Sequence, residues 1–231
     1  MNLIRRLREA PVTVALMFAN LLVYAAMVAT SGKLVAFDAP TLIRAGASVS
    51  GAGIALSHWR WLTAAFIHGG LLHIATNMWA LAQIGAISEV ALGRGLYAAT
   101  YVVTGVLGNV LSSGRAAGGV VPSVSVGASG AIMGLFGMAA IYAWRRGARG
   151  AAKVLVTNIL FVVVMGLVLS ARGVTLFDNA AHIGGALAGA GVGLARAQRP
   201  GPMPRWVNAL LIAISFAICA VAFAVVLTTD R

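Results

Sequence analysis

Three stretches of this chain carry side chains able to do chemistry in otherwise apolar surroundings. Gly127-Ala128-Ser129-Gly130 opens an apolar run that continues to Trp144. A serine between glycines is a nucleophile with no bulky neighbour to block a substrate backbone. The plainer alternative is helix packing, since small residues let membrane helices approach closely. The other stretches are His68-Gly-Gly-Leu-Leu-His73-Ile-Ala-Thr-Asn77 and Ala181-His182-Ile183-Gly184-Gly185. Polar groups inside such runs are costly, and their default reading is functional. An imidazole beside Ser129 would take its proton as the hydroxyl attacks a carbonyl. His73 and Asn77 are four apart, hence on one side of a helix, and with the Ser129 backbone N–H would donate to the oxyanion formed. His68 reads as pointing elsewhere, nearer the water. An interhelical hydrogen bond would explain any one of these residues. Four polar groups converging at one depth from three helices favour a site.

Composition says what must position them. The chain has 231 residues, 60% hydrophobic and 10% charged, with a mean hydropathy of +0.93. A soluble domain of this length could not hide so much apolar surface. The expected class is an all-α polytopic membrane protein, a single membrane domain over residues 1–231. A formal charge of +12 would suggest nucleic acid in a soluble protein. Here the basic residues lie singly or in short groups between apolar runs, the pattern of topology signals, which argues against nucleic acid as a partner. The single cysteine, Cys219, permits no internal disulfide, and no Cys/His cluster has zinc spacing, so no metal or cofactor is expected.

Seven apolar runs can be drawn, each near the ~20 residues that cross a bilayer as helix. They are about Val12–Ala29, Leu62–Ile87, Gly95–Leu111, Ser125–Trp144, Val154–Leu169, Ala180–Leu194 and Trp206–Leu227. Arg5, Arg6 and Arg8 before the first run resemble the start of a signal peptide, but the run is longer than a usual signal and reads as a retained helix. The connection from Thr30 to Trp61 is too long to be idle. With Ile54 and Leu56 among its apolar residues, it is expected to rest in the bilayer interface, anchored by Trp59 and Trp61. A Gly/Ser-rich loop with Arg115 and Pro122 precedes the fourth span, and a basic hinge with Pro200 precedes the seventh. Of the 17 Lys and Arg, 11 fall on the side of an inner N-terminus and 6, Arg231 included, on the other. The N-terminus is therefore expected in the cytoplasm and the C-terminus outside. Spans two, four and six then enter from the outer face, which puts Ser129 and His182 within roughly the outer third of the hydrocarbon layer. Gly130, Gly134 and Gly137 on span four face Gly185, Gly189 and Gly193 on span six as small-residue lines whose contact would join that pair.

These residues together resemble the rhomboid intramembrane serine proteases. The resemblance rests on Gly127-Ala128-Ser129-Gly130, the His182-Ile-Gly-Gly segment and His68-x4-His73-x3-Asn77, with Trp59-Arg60 in the first loop and Glu89 after span two. It implies a rhomboid-like bundle of six core helices, about residues 12–196, plus a seventh helix at about 206–227. It also implies a Ser129/His182 dyad without a third member, and an oxyanion site from Ser129, His73 and Asn77 reached by water from the outer face. The expected substrates are transmembrane proteins, and the expected setting a bacterial inner membrane. One departure is Met133, where the family often has an aromatic residue packed on the histidine; a thioether also packs on imidazole. Asp178, four before His182, invites a triad reading that the resemblance does not ask for. Other intramembrane protease chemistries fail on residues: there is no His-Glu-x-x-His, no pair of membrane-buried aspartates and no G-x-S-x-G elbow. The alternatives are a catalytically silent rhomboid-like protein that binds membrane clients, opposed by the retained Ser129 and His182, and a small transporter, opposed by the lack of an internal repeat.

Overall fold

A computed structural model describes residues 2–50, 58–116, 123–173, 177–199 and 201–229; Ile54, Leu56, Pro122, Pro200 and Arg231 lie outside them. The described chain is a helical bundle. After a short α1 (Leu3–Arg8) come α2 (Pro11–Ser31), α3 (Ala39–Arg44), strand β1 (Ser48–Ser50), α4 (Arg60–Thr63), a 3-10 turn at Ala64–Phe66, α5 (Leu71–Leu92) and α6 (Arg94–Ala116). Strand β2 (Ser123–Ser125), α7 (Ser129–Arg145), α8 (Arg149–Ala171), α9 (Asn179–Gln198) and α10 (Arg205–Thr229) follow. By length and composition α2, α6, α8 and α10 can each cross a membrane.

Two expected spans begin later than hydropathy suggests, and both breaks serve backbone pairing. The run from Leu62 is not one helix. It passes through α4 and the 3-10 turn, runs extended at Ile67, and starts α5 only at Leu71. There the Phe37 N–H donates to the Gly69 carbonyl and the Leu71 N–H to the Val35 carbonyl, both at 3.0 Å. A continuous helix would forfeit these bonds. A side chain on Gly70 would strike the Val35 carbonyl, so only glycine admits the close approach. Similarly Ser125 does not open α7. It ends β2, which pairs antiparallel with β1, Ser48 opposite Ser125.

The first loop is thus laced to both segments that lead into α5 and α7. Arg60 holds it from below: its guanidinium donates to the carbonyls of Ile43 (2.6 Å) and Ala47 (3.2 Å) and lies 4.4 Å from the Trp59 ring centroid. Trp61 donates from Nε1 to Ser113 Oγ (3.1 Å) and packs edge-on against His58. The two tryptophans expected to anchor the loop in the interface are half-buried, and each has a protein partner. Asp38 caps α3 by accepting from the Thr41 N–H, and the Lys33 ammonium beside it holds its carboxyl below the usual carboxylate range.

The centre of the bundle is the crossing of α7 and α9, where backbone meets backbone. A Cβ built on Gly185 would overlap the Gly130 carbonyl, one on Gly189 the Gly134 carbonyl, and one on Gly137 the Ala186 carbonyl. Gly193 stands in the same relation to Met138, so the expected small-residue seam is present along its length. Gly134 also faces Thr104 of α6, and Gly108 of α6 abuts the Ala181 carbonyl at 2.7 Å from a built Cβ. At the opposite end from Ser129, buried Glu89 closes the start of α2. It accepts from the Val12 N–H (3.0 Å), the Thr13 N–H (2.7 Å) and the Thr13 hydroxyl (2.8 Å), with Arg94 Nε at 3.8 Å. A carboxylate there offsets both the orphan amides and the positive end of the helix dipole.

Candidate active site

Ser129, His182 and His73 each sit at or near the start of a helix, α7, α9 and α5 in turn. Gly127, at φ 120°, turns the chain out of β2 in a conformation open to glycine and strained for other residues. Its N–H donates to the Ala64 carbonyl (2.9 Å). Ser129 is then the first residue of α7, where backbone N–H groups have no intrahelical partner and the helix dipole favours negative charge. His182 lies in the first turn of α9 and is 3% exposed. Its Nε2 is 2.8 Å from Ser129 Oγ, a hydrogen bond in which imidazole can accept the hydroxyl proton.

His73 flanks the serine turn from α5, and Asn77 lies one turn further along that helix. The Gly69 N–H donates to His73 Nδ1 (3.2 Å), so the neutral ring carries its proton on Nε2. That nitrogen faces the serine loop: a Cβ on Gly127 would lie 2.7 Å from His73 Nε2 and 3.6 Å from Ser129 Oγ. Any side chain at Gly127 would fill the space between them. Asn77, buried, donates from Nδ2 to the His73 carbonyl (2.8 Å), which leaves its second amide hydrogen unspent. Gly130 lies in the seam with α9, beside Ala181.

His68 is not near the water. It is fully buried, its Nδ1 directed at the Phe66 carbonyl (3.3 Å) and its Nε2 accepting from the Ala128 N–H (3.5 Å), with its ring edge-on to His73 at 5.1 Å. The difference follows from the break before α5: an extended Ile67 turns His68 inward, where a helix would have turned it out. Met133 is buried in α7, but the aromatic neighbour of the imidazole comes from Phe177, edge-on to His182 at 6.1 Å. Nothing in the sequence pattern distinguishes Phe177, because it reaches His182 from the turn before α9. Asp178 makes no hydrogen bond to the imidazole. Its Oδ1 caps α9 through the Ala181 N–H (3.0 Å), and its Oδ2 accepts from Ser112 Oγ and Ser125 Oγ, both at 2.5 Å. His182 Nδ1 is buried without a hydrogen-bond partner. Ser129 is thus the hydrogen-bond partner of the imidazole among the described residues.

A profile of the rhomboid domain matches residues 55–199. The chain belongs to the rhomboid family. The match takes in α4 through α9 and leaves α2 and α10 outside it. RHOMBOID-like protein 2 of Arabidopsis thaliana is 35% identical over 145 residues, 62% of this chain and 43% of that protein. Rhomboid protease GluP of Bacillus subtilis (strain 168) is 33% identical over 131 residues, 57% of this chain and 24% of its own. Rhomboid-type serine protease 2 of Emericella nidulans is 30% identical over 147 residues, 62% of this chain and 27% of its own. The chain thus spans less than half the length of each. Two of these relatives are named proteases and the third rhomboid-like, so the family includes proteases. This rhomboid is a multi-pass integral membrane protein.

Proposed function

We propose that this rhomboid is an intramembrane serine endopeptidase. The observation that carries the reading is the 2.8 Å contact between His182 Nε2 and Ser129 Oγ, at a helix start kept open by Gly127. Ser129 attacks the scissile carbonyl while His182 takes its proton; the imidazolium then protonates the leaving amine, and water repeats the cycle on the acyl-enzyme. The developing oxyanion lies among the Ser129 N–H, His73 Nε2–H and the free Asn77 amide hydrogen. No cofactor enters.

The substrate is the transmembrane helix of a single-span protein. A helix in lipid keeps its amides paired, yet attack requires extended backbone at Ser129, so the substrate must unwind locally. Glycine or proline near the cut lowers that cost by about 1 and about 3 kcal/mol relative to alanine. A small residue just before the cut suits the approach between Gly127 and Gly130. An arrangement of six core helices within residues 12–196, α10 as an addition, and an outward-facing site rests on the motif resemblance and on the distribution of Lys and Arg.

Cleavage of single-span proteins by the detergent-solubilised chain tests the reading. Ser129→Ala is expected to abolish it with folding intact, and residual cleavage at a tenth of the wild-type rate would contradict it. Flat rates across substrates whose glycines and prolines are replaced by leucine would overturn the unwinding requirement.

A further inference from the structure

Among the described residues Asp178 is the one acidic side chain beside the proposed catalytic pair, and its hydrogen bonds differ from those of a triad aspartate. Both carboxylate oxygens are occupied, and none of their partners is the imidazole. Oδ1 holds the first turn of α9 through the Ala181 N–H, and Oδ2 holds Ser125 of β2 and Ser112 of α6 at once. Ser125 and Ser112 are both buried. A helix cap alone needs one oxygen, which serine or asparagine would supply. Capping with one terminal atom while receiving two hydroxyl protons on the other needs acceptors at both, and ionised carboxylate is the side chain that offers them.

The connections run symmetrically to the two reacting groups. Ser125 stands four residues before Ser129, and the backbone between them is fixed by the Gly127 N–H on Ala64 and the Ala128 N–H on His68. Asp178 stands four residues before His182, whose N–H donates to the Asp178 carbonyl at 3.0 Å. Buried Asn109 adds a brace, with Oδ1 3.3 Å from Ser125 Oγ and Nδ2 donating to the Trp61 carbonyl at 2.7 Å. We propose that Asp178 is a positioning residue, a carboxylate clamp between the strand leading to Ser129 and the helix start leading to His182, which sets the Oγ–Nε2 contact. This rests on the reading of Ser129 and His182 as the catalytic pair. The seam glycines fix how closely α7 and α9 approach; the clamp fixes their register at the reacting end.

The test compares labelling of Ser129 by a fluorophosphonate, kcat, KM and thermal unfolding across variants of the full chain in detergent. Asp178→Asn has one acceptor oxygen and can serve the cap or the two serines but not both, and Ser125→Ala and Ser112→Ala each remove one bond to the same oxygen. The expected result is a fall of about 10- to 100-fold in labelling rate and kcat for Asp178→Asn, the scale of a displacement of under about 1 Å, with KM near wild type. Ser125→Ala should follow it, and the double variant should be no worse than Asp178→Asn alone. Ser112→Ala, which loosens the clamp only from α6, should retain most activity at an unfolding temperature similar to that of Ser125→Ala. Equal labelling of Ser125→Ala and Ser112→Ala, or wild-type labelling of Asp178→Asn, would overturn the clamp while leaving the catalytic pair standing. Absence of labelling in the wild type would overturn the pair and the clamp with it.

Discussion

The helices that hold the chemistry and the helices at the rim obey different rules. Along α8 only Ala152 and Gly166 are buried, and Leu160, Phe161 and Val164 are exposed to the surroundings. α10 is similar, with only Ser215, Ala222 and Val226 buried. These helices must satisfy lipid, and hydropathy alone finds them. α7 and α9 instead bury Gly130, Gly134, Gly137, Gly185, Gly189 and Gly193 and bring their backbones into contact. With α5 they carry every side chain proposed for catalysis, and none of the three is among the four helices that qualify as membrane spans by length and composition together. A helix facing protein can afford glycine and polar groups that a helix facing lipid cannot. In a membrane bundle, then, the functional centre is marked by small and polar residues, and the apolar runs mark its boundary.

The sharpest way to break this comparison lies within α9 itself. Gly189→Leu drives a side chain into the Gly134 carbonyl, whereas Gly191, two residues away, has open space where a Cβ would stand. Gly189→Leu is expected to abolish folded, active protein, since overpacking by even a methylene or two costs about 1–3 kcal/mol. Gly191→Leu should match wild type in yield and thermal unfolding. Equal behaviour of the two would mean that the seam does not hold the bundle together.

Next in size is Asn77→Ala, which tests whether the polar groups of the centre act on the reaction. Losing one oxyanion donor typically costs about 10²–10³ in rate. Turnover should fall on that scale, or less where His73 shares the work, with unfolding in detergent unchanged. Loss of stability without loss of turnover would return Asn77 to a packing role. Smaller still is Glu89→Gln, which probes the far end of α5. It replaces a buried charged acceptor of three hydrogen bonds with an amide that must turn an N–H toward Thr13. About 1.5–3 kcal/mol of stability should be lost, the range for hydrogen bonds to charged groups, with kcat retained in the folded fraction.

Much of the site was legible in the sequence because cost is legible: a histidine or asparagine in an apolar run needs a reason. Ser129 and His182 meet in space with His73 beside the Gly127 turn, and the glycine lines that bring the first two together could be read from spacing alone. The break at Ile67–Gly70 was hidden because the residues on both sides are apolar, and only pairing with Val35 and Phe37 reveals it. His68 was misjudged for the same reason. The lacing of the first loop, the ring of Phe177 and the partners of Asp178 join segments far apart in the chain. Their periodicity carries no signal, because at least one partner in each contact lies outside the long helices.

Every role proposed at the site depends on Ser129 being a nucleophile activated by His182. Mass spectrometry of the chain after reaction with a fluorophosphonate, comparing wild type with His182→Ala, tests this. One adduct is expected on the wild type, mapped to the peptide containing Ser129, and none on His182→Ala at matched time and folding. An adduct on another serine, or Ser129 labelled equally fast without His182, would contradict it.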